Sequence, residues 1–484
     1  MQAGDIAEAA RLAPSKTEGS MGAQRLGRLA RATEALAKGD GASARLLLAD
    51  DMVGPPHGTA ASLMAPWAAA MAGNTNPDAT PPRAADTPAA ALLARYSQAV
   101  LLEKARKYKE SEAAYKSLFE TAPSVGMFGL GYGAFLERRG RRGEAVGLYD
   151  AVLKQNPESP AIIAAHDRAK AKGKAPVLPT DVQGAAQSLI ALAGNLAGRQ
   201  PENTFVYLRL AMRLDSTRND GWVMMGESLD MAGDREGARA AYLRVGPGVP
   251  EYIAARLRLA VSYEADKDLD KALQVARETA QNAPAEAEAQ ILFANLLTSV
   301  KDYKGSAKVL DAVITSQGDK AGWRLFYIRA IALERADRWS DAEKDLQKAL
   351  VLAPNQPEVL NYLGYSWADR GVRLPEALTM LQRAVRSNPS SGAMIDSLGW
   401  VYYRMGDLPS AVANLERAVV LDPSDPDVNN HLGDVYWRVD RKIEAQYQWQ
   451  RVLTLDPDAK LKAEVEAKLK SGLTPVVVAR SGGV

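Results

Sequence analysis

Along the last third of the chain, small and apolar residues return at fixed distances. Counting back from Pro389, the positions Ala377, Leu381 and Ala384 share these offsets with Ala411, Leu415 and Ala418 before Pro423, and with Ala445, Trp449 and Val452 before Pro457. Steps of three and four residues place each trio on one stripe of an α-helix. Ahead of every stripe lies an apolar-Gly pair followed by an aromatic residue: Leu363-Gly364 with Trp367, Leu398-Gly399 with Tyr402, Leu432-Gly433 with Tyr436. Glycine inside a helix costs about 1 kcal/mol against alanine, so it is expected where a neighbouring helix needs the space. Each unit thus predicts two helices packed against one another. The closing prolines Pro354, Pro389, Pro423 and Pro457 give unit lengths of 35, 34 and 34 residues.

The frame continues upstream in weaker form. It passes through Ala330, Ala342, Leu346 and Ala349, then Ala294, Ser306, Leu310 and Val313, then Ala260 and Ala272, then Gly226, Ala238 and Tyr242. Ala191, Tyr207 and Ala211 mark a further unit, Gly133, Ala145, Tyr149 and Pro157 another, and Ala99, Tyr115, Leu118 and Pro123 another. About nine or ten units are counted from Ala90 to Pro457. These residues resemble the tetratricopeptide repeat, a 34-residue pair of antiparallel helices. The resemblance implies an all-α fold, a superhelical solenoid of antiparallel helix pairs that each bury a face against their neighbours.

Composition marks the expected divisions. Residues 1–73 are Ala-rich, with helical stretches at Leu26 to Ala37 and Ala42 to Leu48, and read as one or two divergent repeats. Residues 74–88 hold four prolines and read as a linker. A front sub-array at 89–167 is followed by a basic, Pro-containing linker at 168–183, a bend and a main array at 184–457. Residues 458–470 read as a capping helix, in which Leu461, Val465 and Leu469 recur every four residues and Glu464 is placed to meet Lys468. Residues 471–484 read as a loose tail, with a strand that pairs with a partner as the alternative.

Charge and chemistry narrow the function. Sixty Lys and Arg against fifty-eight Asp and Glu leave a net charge of +2, which does not favour a nucleic-acid backbone as partner. The absence of cysteine removes thiol nucleophiles, disulfides and thiolate metal sites. No apolar stretch reaches the roughly 18 residues of a membrane span. Met1 to Asp5 does not resemble a signal peptide, so membrane association would rest on residues ahead of Met1. The three histidines, His57, His166 and His431, lie far apart and outside any zinc spacing. His431 is expected to be a partly buried histidine bonded to a neighbouring turn. Gly129 to Gly133 has no Gly-Lys-Ser or Gly-Lys-Thr behind it, so repeat packing accounts for Gly133 better than a phosphate loop does. No cofactor and no catalytic set is expected. An enzyme built on an unflagged carboxylate pair is the alternative from another class.

Resemblance to the repeat family implies a groove lined by first helices. It places Asn361, Tyr365, Ala368 and Asp369 there, then Asp396, Trp400, Tyr403 and Arg404, then Asn430, Asp434, Trp437 and Arg438. Aromatic residues and arginines are enriched at binding hot spots, so Tyr403, Arg404 and Arg438 are expected to be exposed to a protein partner. Trp400 and Trp437 could instead fill space between first helices, and the aspartates could form internal salt bridges. Asn361, Asp396 and Asn430 do not match the Lys/Asn/Arg clamp by which some members hold a C-terminal carboxylate. From Asn361 to Trp449 the repeats resemble a family of exported Gram-negative tetratricopeptide lipoproteins that includes the adaptor of a periplasmic C-terminal processing protease. That resemblance implies a scaffold at the periplasm or outer membrane with the protease and its substrates as partners. A cytoplasmic assembly or regulatory protein is the alternative.

Overall fold

The computed structural model describes residues 6–12, 20–49, 53–74, 87–157 and 159–473. Among these residues are twenty-six α-helices and no strand. They form two compact units, Met1–Ala289 and Gln290–Val484. The greater part of the expected Pro-rich linker, and the expected tail beyond residue 473, lie outside the described residues.

In the second unit the three apolar stripes sit on the helices Leu374–Ser387, Leu408–Leu421 and Lys442–Thr454, and all nine stripe residues are fully buried. The apolar-Gly pairs sit on Pro357–Arg370, Gly392–Met405 and Pro426–Arg438. A Cβ on Gly399 would fall 2.6 Å from Leu415 Cγ, and one on Gly433 would fall 2.5 Å from Trp449 Nε1. The missing side chain of the first helix is therefore filled by a large side chain of the second. Proline opens several of these helices, where the N–H it lacks would have had no helical acceptor. Asp407 and Asp425 cap two of them, accepting from Ser410 N at 3.2 Å and Val428 N at 3.0 Å.

One device joining these repeats was not foreseen. Arg383 donates to Pro354 O at 2.7 Å, Arg417 to Pro389 O at 2.5 Å and Arg451 to Pro423 O at 2.9 Å. Each second helix thus grips the proline that closes the preceding repeat. The array ends on Ala459–Ser471, where Val465 is fully buried and Leu461 and Leu469 pack on the same core.

The first unit departs from a simple line of neighbours. The expected N-terminal stretches lie within Met21–Ala37 and Gly41–Leu47, followed by Gly58–Met71. Gly58–Met71 packs against Asp181–Leu196 and Met21–Ala37 against Pro201–Leu214, each more than a hundred residues away. Trp67 Nε1 donates to Ser188 Oγ at 3.1 Å, and Ser97 of Pro88–Lys104 meets the same Oγ at 3.1 Å. Arg213 holds the Glu34 carboxylate at 2.5 and 3.0 Å, and His57 Nδ1 lies 3.1 Å from Tyr207 OH. The helix pairs between Pro88 and Lys170 therefore enter beside a stack that closes without them. Within the expected linker, residues 168–170 still belong to Pro160–Lys170, and Thr180 caps the next helix through a capping box with Gln183. Residues 173–180 run between them without helix or strand.

The junction rests on Gly184, where a Cβ would come within 2.3 Å of the buried Trp67 ring. Gly184→Ala should lower stability by about 1–3 kcal/mol through overpacking, measured by denaturant unfolding. Gly147→Ala, in a helix with nothing within 4 Å of the new methyl, should be neutral or stabilising by up to about 1 kcal/mol. Equal effects of the two changes would show that the junction is loosely packed.

Candidate functional site

The first helices Trp323–Arg335, Pro357–Arg370, Gly392–Met405 and Pro426–Arg438 enclose, with the start of Ala459–Ser471, a concavity of about 650 Å³. It is lined by Asn361, Tyr365, Asp369, Asp396, Trp400, Asn430 and Asp434 among others. These are seven of the residues placed in the groove by sequence. The remaining five, Ala368, Tyr403, Arg404, Trp437 and Arg438, do not line it, and Ala368 is fully buried.

Packing explains the difference. Trp437 lies 5.3 Å from Trp449, with Lys442 Nζ 4.0 Å from its ring centre, and a Cβ on Gly472 would strike its edge at 2.0 Å. It is a space-filling residue of the C-terminal core. Arg404 was expected to be exposed for a partner, but it is half-buried and donates to the main-chain oxygen of Asp369 one repeat earlier. Arg438 donates through Nε to Tyr403 OH at 3.2 Å, and both are half-buried. These side chains bridge consecutive repeats. The groove expected to centre on Trp400, Tyr403, Arg404, Trp437 and Arg438 is therefore displaced towards Asn361, Tyr365 and the aspartates.

Asp396 and Asp434 are buried, whereas Asp369 is exposed, and the partners of the buried pair come from other elements. His431 Nδ1 meets the Asp396 carboxylate at 2.9 Å. Lys468 reaches in from the capping helix to Asn430 Oδ1 and the Asp434 carboxylate, both at 2.8 Å, and to Glu464 at 2.6 Å. Trp449 Nε1 completes the Asp434 shell at 3.0 Å. The expected Glu464–Lys468 pair is present, and Lys468 is only 7% exposed. His431 is likewise fully buried and bonded across repeats rather than to a neighbouring turn. Its ring stacks on Trp400 with centroids 4.1 Å apart, and Tyr403 lies tilted against Trp400 at 4.9 Å.

The electrostatics are one-sided. Eight acids line the concavity, namely Glu334, Asp369, Asp396, Asp425, Asp427, Asp434, Asp458 and Glu464, against the cations Arg335, Arg370 and Lys460. Arg370 neutralises Glu334 at 2.9 Å, Lys468 covers Asp434 and Glu464, and Asp458 caps the final helix through Leu461 N at 2.8 Å. The carboxylates of Asp369 and Asp427 are left without an ion pair among the described residues. Burial raises the pKa of Asp427. Burial and then Asp369, Asp396 and Asp427 hold the Tyr365 phenol well above its ordinary range, so it stays a neutral donor. Two buried polar atoms on the lining have no partner, Trp400 Nε1 and Asn361 Oδ1. Sequence reasoning missed His431, Asp427 and Lys468 as members of this site. Lys468 alone carried a local signal, being adjacent to Leu469 and three residues after Val465 on the apolar stripe.

For His431, burial lowers the pKa, but Asp396 and then Asp434 and Asp427 outweigh it and leave the value above the ordinary 6.5. A raised pKa stabilises the fold below the unfolded-state value, and that stability is lost as pH rises through the folded-state value. The stability difference between the wild type and His431→Gln should therefore be larger at pH 6 than at pH 9, by urea unfolding. A difference that is constant across this range, or that grows with pH, would contradict the charged pair.

Comparison with known proteins agrees with the helix pairs. A tetratricopeptide-repeat model matches residues 96–160, 223–287 and 327–392, and a second TPR-repeat model matches 399–440. A TPR repeat-containing protein of Pseudomonas aeruginosa is 27% identical over 185 residues, 38% of this chain and 31% of that protein. The match thus spans about a third of the relative's length. Among solved structures, the APC/C hetero-tetramer Cut9-Hcn1 aligns over 93% of this chain and 90% of its own, with 15% identity and a TM-score of 0.43. A tetratricopeptide repeat protein from Parabacteroides merdae covers 52% of this chain and 97% of its own, with 14% identity and a TM-score of 0.43. YrrB, described as a TPR protein with an unusual peptide-binding site, covers 40% of this chain and 97% of its own, with 20% identity and a TM-score of 0.30. The chain carries tetratricopeptide repeats, and its fold is the helix-pair solenoid that such repeats build.

Proposed function

We propose that this chain is a non-enzymatic scaffold that binds other proteins, and that its C-terminal concavity takes a partner segment bearing lysine or arginine. The observation that carries this reading is the uncompensated Asp369 and Asp427 in an acid-lined hollow. A cation between them would gain charge-assisted hydrogen bonds, with Trp400 Nε1 and Asn361 Oδ1 left to meet the main chain beside it. A carboxylate tail would face like charge. Asp369→Asn with Asp427→Asn should weaken a lysine-rich peptide at least fivefold in calorimetry, with affinity falling as salt rises and the melting temperature nearly unchanged. Unchanged affinity in that variant would remove the concavity as the site.

A second reading, acid–base catalysis by carboxylates, draws on the raised pKa of both Asp427 and Asp434, each due first to burial. Asp434 is already held by Lys468 and Trp449. That leaves Asp427 without a second free carboxylate of shifted pKa beside it, which disfavours a paired acid and base.

We further propose that the partners are envelope proteins, a C-terminal processing protease and its substrates, and that the chain works at the periplasm or outer membrane. The likeness of residues 361–449 to exported lipoproteins supports this. Fractionation of cells making the native protein, with crosslinking and mass spectrometry, should recover it in the envelope with a protease. Recovery from the cytosol alone would remove the localisation and leave the scaffold reading standing.

A further inference from the structure

The segment between Pro160–Lys170 and Asp181–Leu196 reads Gly173-Lys174-Ala175-Pro176-Val177-Leu178-Pro179-Thr180. Pro176 and Pro179 fix φ near −65°, and the residue before each proline is driven to extended conformations. Thr180 continues at φ −64° and ψ 167°. These are the conditions for a polyproline II helix, which has three residues per turn and no internal hydrogen bonds. Its carbonyls need donors from elsewhere.

The front repeats supply them in phase. Gly173 O accepts from Arg142 Nη2 at 3.1 Å, Pro176 O from Arg138 Nη1 at 3.2 Å and Pro179 O from Lys104 Nζ at 3.3 Å. The accepting carbonyls are three residues apart and so share one face of a polyproline II helix. Lys104 and Arg138 are the last residues of Pro88–Lys104 and Gly126–Arg138, equivalent positions in successive repeats. One turn of polyproline II rises about 9 Å, close to the roughly 8–10 Å between packed helices. Lys104 and Arg138 thus each read one carbonyl, one turn apart, and Arg142, on the second helix of Arg138's repeat, reads the third.

The segment is seated lightly. None of residues 173–180 is buried, and Val177 is 77% exposed. Arg138 is oriented independently of it, by two bonds to Glu103 at 2.7 and 2.6 Å, while Lys104 is also held at 2.5 Å by Asp181, the residue that follows the segment. Beside it opens a cavity of about 970 Å³, walled by Leu93, Tyr96, Phe128 and Ile190, that its own side chains leave unfilled. We propose that this face of the front repeats binds extended, proline-containing segments of other proteins through their main-chain carbonyls. Residues 173–180 are then a built-in ligand of the same class, which an incoming segment displaces. This site is independent of the C-terminal concavity.

The test uses the full chain and a fluorescent peptide of sequence GKAPVLPTD, residues 173–181. The variant Pro176→Gly with Pro179→Gly, which loosens the built-in ligand, should bind the peptide at least tenfold more tightly than wild type. Adding Lys104→Met should reverse most of that gain, and a peptide with both prolines replaced by glycine should bind no better than to wild type. Equal affinity of wild type and the double-glycine variant, with unchanged helical content, would make the segment a connector and overturn the proposal. Should the double-glycine variant lose helix, the chain's lack of cysteine permits a second reading through Val177→Cys carrying an environment-sensitive dye. Excess unlabelled peptide should then shift the dye's emission, and no shift at saturation would overturn the proposal.

Discussion

In four of the helix pairs a glycine of the first helix leaves space that a large residue of the second helix fills. Gly133 lies under Tyr149, Gly226 under Tyr242, Gly399 under Leu415 and Gly433 under Trp449. The residue on the second helix changes size and shape, but the vacancy opposite it does not. Packing at interior density leaves no slack at such a contact, so the pair is held at a set separation and successive pairs can stack in register. Every other regularity of the repeats depends on that separation. Among them are the arginines of Leu374–Ser387, Leu408–Leu421 and Lys442–Thr454, each of which reaches the proline carbonyl that closes the preceding repeat.

Charge is distributed by the same stacking. The side chains around the C-terminal concavity project from four consecutive first helices, and the pairs that neutralise them cross from one repeat to another, as Asp396 does to His431 and Asp434 to Lys468. Burying such groups is costly unless each is matched, and most are. Asp369 and Asp427 stand out as exposed carboxylates of the hollow with neither an ion pair nor a side-chain cap bond among the described residues. A surface made this way selects by charge, whereas the face bearing Lys104 and Arg138 meets neutral carbonyls and selects by conformation. The two differ because one gathers acids and the other spaces donors.

The first unit shows where a repeat array stops being one-dimensional. Ser188 is shared by Trp67 and Ser97, so Gly58–Met71, Pro88–Lys104 and Asp181–Leu196 converge on a single hydroxyl. A solenoid unit ordinarily needs only its two neighbours. Here a third partner is accommodated because Gly184 and the small residues around it leave room for an indole. The front pairs are thereby attached at the side of a stack, and the chain must return along them from Lys170 to Thr180, which is how residues 173–180 come to lie against Lys104 and Arg138.

The sequence by itself determined the helix pairs, their length and the stripe that each second helix buries. These follow from interactions within about 34 residues, repeated often enough to be seen above the variation of any one unit. It also placed seven of the side chains that line the C-terminal hollow, because equivalent positions on stacked first helices face the same way. Only the tertiary structure decided which of them remain free. Arg404 and Arg438 look like hot-spot residues in isolation, yet the next repeat offers each a partner, Asp369 O and Tyr403 OH. Trp437 is covered by Gly472, Lys442 and Trp449, which no spacing links to it. Contacts between residues 150 or more apart, such as His57 with Tyr207 and Glu34 with Arg213, leave no periodic trace at all. A repeat signal records what each unit does identically. Sites and junctions arise where a unit does something once, and for that the physical record is the three-dimensional neighbourhood alone.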